Sequence, residues 1–256
     1  NRLSHFPTRA VEALRELSGL DLRGNCIQQL PTGSICIEGE GRSSNGMAKV
    51  RLEKLDLGEN LIDTLPDNGD SLFNGSVHIR DLHLDYNRIH TIPDSALRGT
   101  YVTRLHLASN GLTTIEERAF HSLSSTLVYL DLNHNKLKHV PHALTHLKRL
   151  RFLHLAANQI KELQRDDLAN FGHHLQVLSL NENQLEQFPW VALDNCTNLV
   201  ELNLAHNHVE NLTSAMFHDW AFDLEVLNLK GNHLVQLPAR LFRFAPKLRE
   251  LNLSFN

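Results

Sequence analysis

The last six residues, LNLSFN (251–256), repeat a pattern that runs the length of the chain. Nine earlier hexapeptides match it: LDLRGN (20–25), LDLGEN (55–60), LHLDYN (82–87), LHLASN (105–110), LDLNHN (130–135), LHLAAN (153–158), LSLNEN (178–183), LNLAHN (202–207) and LNLKGN (227–232). Each ends on an asparagine: Asn25, Asn60, Asn87, Asn110, Asn135, Asn158, Asn183, Asn207, Asn232 and Asn256. The opening NRLSHFP supplies Asn1 as the tail of one further copy, and successive asparagines lie 24, 35, 27, 23, 25, 23, 25, 24, 25 and 24 residues apart. Self-similarity at such a period means that each copy is one structural unit, stacked on its neighbours to bury a shared core.

The chemistry of the hexapeptide fixes its local shape. Two leucines separated by one residue share a face of a short strand, so that face is the core and the residue between them points outward. An apolar residue three before the first leucine completes the layer: Leu17, Leu52, Ile79, Val102, Leu127, Leu150, Leu175, Leu199, Leu224 and Leu248. The asparagine amide carries donors and an acceptor, as needed to satisfy backbone groups where the chain turns inward. Pairs such as Leu65-Pro66, Ile92-Pro93 and Leu237-Pro238 turn the chain back, since proline needs no N–H partner. Phe120, Phe217 and Phe242 follow these turns and are expected to stack on the return side of the coil.

Two repeats are long. An insertion at about 33–50 contains Gly39, Gly41, Ser43, Ser44, Asn45 and Gly46 and reads as a loop; a smaller one falls near Asn74. Cys26 and Cys36 flank the start of the larger insertion and are a candidate disulfide, whereas Cys196 occupies a layer position and reads as a small buried thiol. Asn74, Asn195, Asn211 and Asn252 each begin an N-x-S/T triplet and are candidate glycosylation sites.

The strand pattern arranges outward residues in columns. Between the leucines stand Asp21, Asp56, His83, His106, Asp131, His154, Ser179, Asn203, Asn228 and Asn252; just before them stand Gly19, Lys54, Asp81, Arg104, Tyr129, Phe152, Val177, Glu201, Val226 and Glu250. Lys54, Asp81 and Arg104 alternate in sign, which favours cross-strand pairing. Tyr129, Phe152 and Val177 form an apolar run bordered by polar residues, the composition of an interaction surface. With Arg104, His83, His106, Asp131 and His154 they are the candidate partner-binding residues. The histidines and Asp131 form a line rather than a tetrahedron, so no metal site is expected.

The 256 residues carry 41% hydrophobic and 21% charged residues with a net charge of -4 and no basic run, which leaves no field for nucleic acid. No apolar stretch is long enough to span a bilayer. The chain holds no phosphate-cradling glycine loop, nucleophile elbow or H-E-x-x-H, so neither an enzyme nor a cofactor is expected.

The repeat follows L-x-x-L-x-L-x-x-N-x-L and resembles the leucine-rich repeat. Units of about 24 residues with LP turns and a return-side phenylalanine resemble the typical class of animal extracellular proteins, among them Toll-type receptor ectodomains, Slit-like guidance proteins and chaoptin-type adhesion proteins. The resemblance implies a solenoid of the α/β horseshoe type, with a parallel sheet on the concave face and loops, 3-10 turns or single helical turns on the convex face. It implies one array over 1–256, with ten L-x-L strands, a partial first repeat and no caps. It further implies a non-catalytic protein-protein interaction module at the cell surface, anchored by parts outside this segment. Its partner would be a protein ligand or a second copy of itself, bound on the concave face or flanking loops. An intracellular leucine-rich repeat scaffold is the alternative. Leu251 and Leu253 would then close a layer with nothing above it, and Asn256 would have no next coil to bond, as expected for a slice of a longer array.

Overall fold

The protein was analysed as a computed structural model, which describes residues 2–11, 14, 16–30, 50–67, 71–72 and 77–256. Ten strands form at the L-x-L motifs: β1 Gly19–Asp21, β2 Val50–Asp56, β3 Val77–His83, β4 Thr100–His106, β5 Tyr129–Asp131, β6 Phe152–His154, β7 Val177–Ser179, β8 Glu201–Asn203, β9 Val226–Asn228 and β10 Glu250–Asn252. They follow one another in chain order in a parallel sheet. The leucines of the motif point inward: Leu55, Leu82, Leu105, Leu130, Leu153, Leu178, Leu202 and Leu227 are fully buried. The residue two after each asparagine, from Ile27 and Ile62 to Leu185 and Val209, is buried against them. The layer residues three before the first leucine are equally buried from Leu52 to Leu224, and half-buried at Leu17 and Leu248.

The return segments are short. Among the described residues they contain single α turns at Thr8–Val11 and Trp190–Leu193 and 3-10 turns such as His142–His146 and Gly172–His174. A two-residue parallel pair, Thr91–Ile92 with Thr114–Ile115, joins two of them. Phe120 and Phe217 are fully buried and Phe242 half-buried. Phe217 lies 5.1 Å from Phe242, 5.2 Å from Phe188 and 5.5 Å from Trp220, ring centre to ring centre. Cys196 packs fully buried in its layer, and burial pushes its thiol up to about 12.

The asparagine ladder is the joint between coils. Asn60 accepts the Ile27 N–H at 3.0 Å and donates to the carbonyls of Leu22 at 2.9 Å and Leu57 at 3.1 Å. Asn183 repeats this with the Ile160 N–H and the carbonyls of Leu155 and Leu180. One side chain thereby satisfies a buried donor and two buried acceptors that no strand or turn reaches. The ladder points backwards, from each coil to the one before it. Asn256 is therefore bonded after all, accepting from Leu234 N–H and donating to Leu229 and Leu253 carbonyls, contrary to the expectation for a last coil. Asn25 likewise takes the Leu3 N–H of the partial opening repeat.

The residue before each asparagine is left-handed in all ten copies: Gly24, Glu59, Tyr86, Ser109, His134, Ala157, Glu182, His206, Gly231 and Phe255. Only two are glycine, so the inward turn is held by the ladder against the usual cost of this conformation. At Gly231 the glycine is also spatial, because a Cβ there would stand 2.6 Å from the His206 ring.

The contacts divide the chain into two compact units, Asn1–Leu130 and Asp131–Asn256.

Candidate functional site: the outward columns of the strands

In the first unit the outward residues fall in register rows. Asp21, Asp56, His83 and His106 face one another on successive strands, as do Gly19, Lys54, Asp81 and Arg104. Arg104 binds Asp81 at 3.0 Å, the cross-strand pair its sign pattern favours. Lys54 does not continue that row. It turns to Asp56 on its own strand at 2.9 Å and to Asp21 at 3.8 Å. Asp56 is almost completely buried, and a buried carboxylate recruits the nearest cation. Asp56 also takes the Gly58 N–H at 3.0 Å. Its hydrogen bond, outweighing the desolvation of the lysine, raises the Lys54 ammonium above its ordinary value.

Arg23 spans three coils. Its guanidinium meets Asp85 at 3.0 Å, Glu59 at 3.0 Å and Asp56 at 3.6 Å. Gly58 makes this reach possible, since a Cβ at that position would lie 2.5 Å from the Arg23 Nη1 atom. Burial opposes the charge on Asp85, but bonds from His83 and Arg23 outweigh it and hold its carboxyl below the usual range. The His83 and His106 rings stack in parallel, 4.1 Å apart and inclined by 5°, and Tyr129 follows at 5.0 Å. The Arg104 guanidinium covers the Tyr129 ring at 4.9 Å, a cation–π contact. Burial, aided by His83, lowers the His106 ring to about 4. It is therefore neutral at physiological pH.

The second unit presents other chemistry. Phe152, Val177, Glu201, Val226 and Glu250 form one row, and His154, Ser179, Asn203, Asn228 and Asn252 the other. Phe152 and Val177 are half-buried, as is Tyr129 in the first unit. Asn203, Asn228 and Asn252 each turn their amide oxygen onto the backbone N–H two residues ahead, at 3.1 Å. Asp131 does the same with Asn133 at 2.9 Å. His154 contacts the Ser179 hydroxyl at 3.2 Å, and burial lowers its ring despite Asp131 and Glu201.

Of the candidate partner-binding residues, Arg104, His83, His106 and Tyr129 are brought together in the first unit, and Phe152, Val177, Asp131 and His154 belong to the second. Sequence reading missed Arg23 and Asp85 because both lie beyond the second leucine, outside the two columns it considered. Asn195, Asn211 and Asn252 are exposed, while Asn74 and the insertion expected at about 33–50 lie outside the described residues, save Val50, which opens β2. Cys36 lies outside them as well; among the described residues Cys26 and Cys196 are free thiols. No group of three or more His, Cys, Asp or Glu among the described residues is placed to hold a metal, and no helix among them is long and apolar enough to cross a membrane.

Parallel one-motif strands joined by an asparagine ladder define a leucine-rich repeat solenoid. The Leucine rich repeat family pattern matches residues 77–127, 100–160, 162–209 and 197–256, and the chain belongs to this family. Fibromodulin of Oryctolagus cuniculus is 32% identical over 133 residues, covering 52% of this chain and 78% of the relative. Fibromodulin of Mus musculus is 34% identical over 129 residues, 48% of this chain and 28% of the relative. Among solved structures, the chain is similar to one in the Drosophila Toll–Spatzle complex, with a TM-score of 0.65 and 20% identity over 99% of this chain and 43% of that one. It is also similar to a Leptospira interrogans LRR protein, with a TM-score of 0.53 and 22% identity over 100% of this chain and 76% of that one. Both structural likenesses concern the fold.

Proposed function

We propose that the chain is the protein-binding segment of an extracellular adhesion or receptor protein and that it takes a protein ligand, or a second copy of itself, on the outward columns of its strands. The observation that carries this reading is the pre-set strand face. Side chains there are held by neighbours before any ligand arrives, as Arg104 is by Asp81 and Tyr129. Preorganised polar groups around half-buried aromatics lower the ordering cost of binding. Kinship with fibromodulin, an extracellular leucine-rich repeat protein, favours the extracellular side, and the Toll structure was solved in complex with a protein. On this reading Asn195, Asn211 and Asn252 are exposed acceptors for glycans, and the anchor lies outside these residues.

The test is a screen of the chain, made in secretory cells, against an array of secreted and cell-surface ectodomains including its own. Capture of an ectodomain that is lost in Tyr129→Ala/Phe152→Glu, with melting temperature unchanged, is expected. Capture that survives the double substitution removes the strand face from the reading. Failure of a glycosidase to shift the mobility of the secreted chain removes the glycan assignment.

A further inference from the structure

Three strands of the first unit, β2, β3 and β4, are seven residues long where the other seven strands have three. Their extra residues carry the sheet backwards and give the first unit a second outward face along its flank. Arg51, His78 and Tyr101 form one register row across it. With Glu53, Arg80 and Thr103 they line an open groove of about 640 Å³.

Among the described residues, the cations of this groove are loosely tied. Arg51 has an 84% exposed side chain, and its carboxylate contact, Glu53, is 3.9 Å away. Arg80 stands 3.4 Å from the same Glu53 and 4.0 Å from Asp81. Charge-assisted hydrogen bonds are shorter, about 2.7–2.9 Å, and elsewhere Arg104, Arg23 and Arg165 each meet a carboxylate at 3.0 Å. Two guanidinium forks thus share one exposed glutamate at long range. Beside them the His78 and Tyr101 rings stack 4.6 Å apart and inclined by 15°, and both line the groove as its aromatic wall.

We propose that this flank groove docks a protein segment that presents a single carboxylate next to an apolar or aromatic residue. The planar forks of Arg51 and Arg80 match one carboxylate in two-point geometry, and the His78–Tyr101 wall takes the neighbouring ring or aliphatic chain. Glu53 decides against a dense polyanion such as a sulfated polysaccharide. It sits between the two arginines and would repel every further charge, whereas an isolated carboxylate displaces it from the guanidiniums. This surface is separate from the strand columns of the proposed function and stands or falls independently of them.

The experiment is a selection of random dodecapeptides displayed on phage against the whole 256-residue chain, followed by calorimetry with a synthetic peptide of the enriched class. Enriched peptides are expected to share an Asp or Glu beside an aromatic or large aliphatic residue. Their affinity should fall about tenfold or more in Arg51→Gln/Arg80→Gln, and equally when the peptide carboxylate is changed to its amide. It should be unchanged in Tyr129→Ala/Phe152→Glu. Both arginines are exposed, so the variant is expected to fold, with circular dichroism and melting as the check. The proposal is overturned by a selection that enriches nothing, by enriched peptides without a shared carboxylate, or by affinity that survives the double arginine substitution. Retention on immobilised heparin that depends on Arg51 and Arg80, without any enriched peptide, would assign the groove to polyanions and overturn it as well.

Discussion

The two units use one joint and two surface chemistries. In both, an asparagine bonds back to the preceding coil with the same three contacts: Asn60 takes Ile27 and gives to Leu22 and Leu57, and Asn183 takes Ile160 and gives to Leu155 and Leu180. The outward columns differ. Those of the first unit are charged at Lys54 and Asp56, which bind each other, stacked at His83 and His106, and tied to Arg23 and Asp85 just beyond them. Those of the second are mostly neutral: Asn203 and Asn228 make the backbone bond that Asp21 and Asp56 make in the first, but without the charge. Because the joint is built from inward groups alone, the outward positions vary without disturbing it. That separation is what lets a repeat array change its surface while keeping its fold.

The sharpest test of a common joint is to break it once in each unit. Asn60→Ala and Asn183→Ala each strand one buried N–H, Ile27 or Ile160, and take one of two asparagine donors from each of two carbonyls, which keep the other from Asn25 and Asn87 or from Asn158 and Asn207. The stranded N–H costs about 1–3 kcal/mol and the two weakened carbonyls add to it, so a loss of about 2–3 kcal/mol is expected from both. Urea denaturation followed by circular dichroism measures it. A loss in one unit far larger than that in the other would mean that the surface lattice shares the load, because the inward contacts removed are the same in both.

Acid should separate the units. His106 is held at about 4 in the folded state by burial and by His83, against about 6.5 in an unfolded chain. Between these values the unfolded chain binds a proton that the folded one refuses. The stability contributed by neutral His106 is therefore complete above about pH 6.5 and falls as pH drops towards 4. Allowing for the partial exposure of the ring, the loss is about 2 kcal/mol. Asp85 acts in the same direction at lower pH, because its depressed carboxyl loses its contribution only as pH falls below the ordinary carboxylate range. His106→Gln should flatten the stability profile between pH 7 and 4.5. His154→Gln should flatten it less: burial lowers the His154 ring too, but Asp131 and Glu201 draw it back up. Equal flattening by both substitutions would remove the His83–His106 stack as the cause.

The inward half of this molecule was legible because leucine spacing has only one solution on a strand, and the register of both outward columns follows from it. Other features depend on reach and rotamer, which spacing does not encode. Lys54 prefers the buried Asp56 to Asp81 across the sheet, and Arg23 crosses two coils only because Gly58 has no side chain. The seven-residue strands do carry a signal in the sequence: Val50, Val77 and Thr100 are β-branched and stand two residues before the apolar layer position, extending the alternation backwards. The left-handed residue before each asparagine also left a trace, in Gly24 and Gly231, but eight residues of six other types in that place concealed it.

That hidden position gives the smallest and cleanest comparison of the two surfaces. Ala157 and Glu59 occupy the same turn, both at φ 52. For Ala157 in the second unit, glycine removes a left-handed cost of about 1–2 kcal/mol and adds about 0.5–1 kcal/mol of unfolded-state entropy, so Ala157→Gly should stabilise by about 0.5 kcal/mol. In the first unit Glu59 also holds the Arg23 guanidinium at 3.0 Å. A half-exposed pair of this kind is worth about 0.2–1 kcal/mol, so Glu59→Gly should gain nothing or lose slightly. Thermal melts of the two variants decide the matter, and adding Arg23→Gln to both completes the test. In that background Glu59→Gly should recover the gain seen for Ala157→Gly, because the ion pair that ties Glu59 to Arg23 is then gone. If Glu59→Gly still fails to stabilise, Arg23 is not what distinguishes the first unit at this turn.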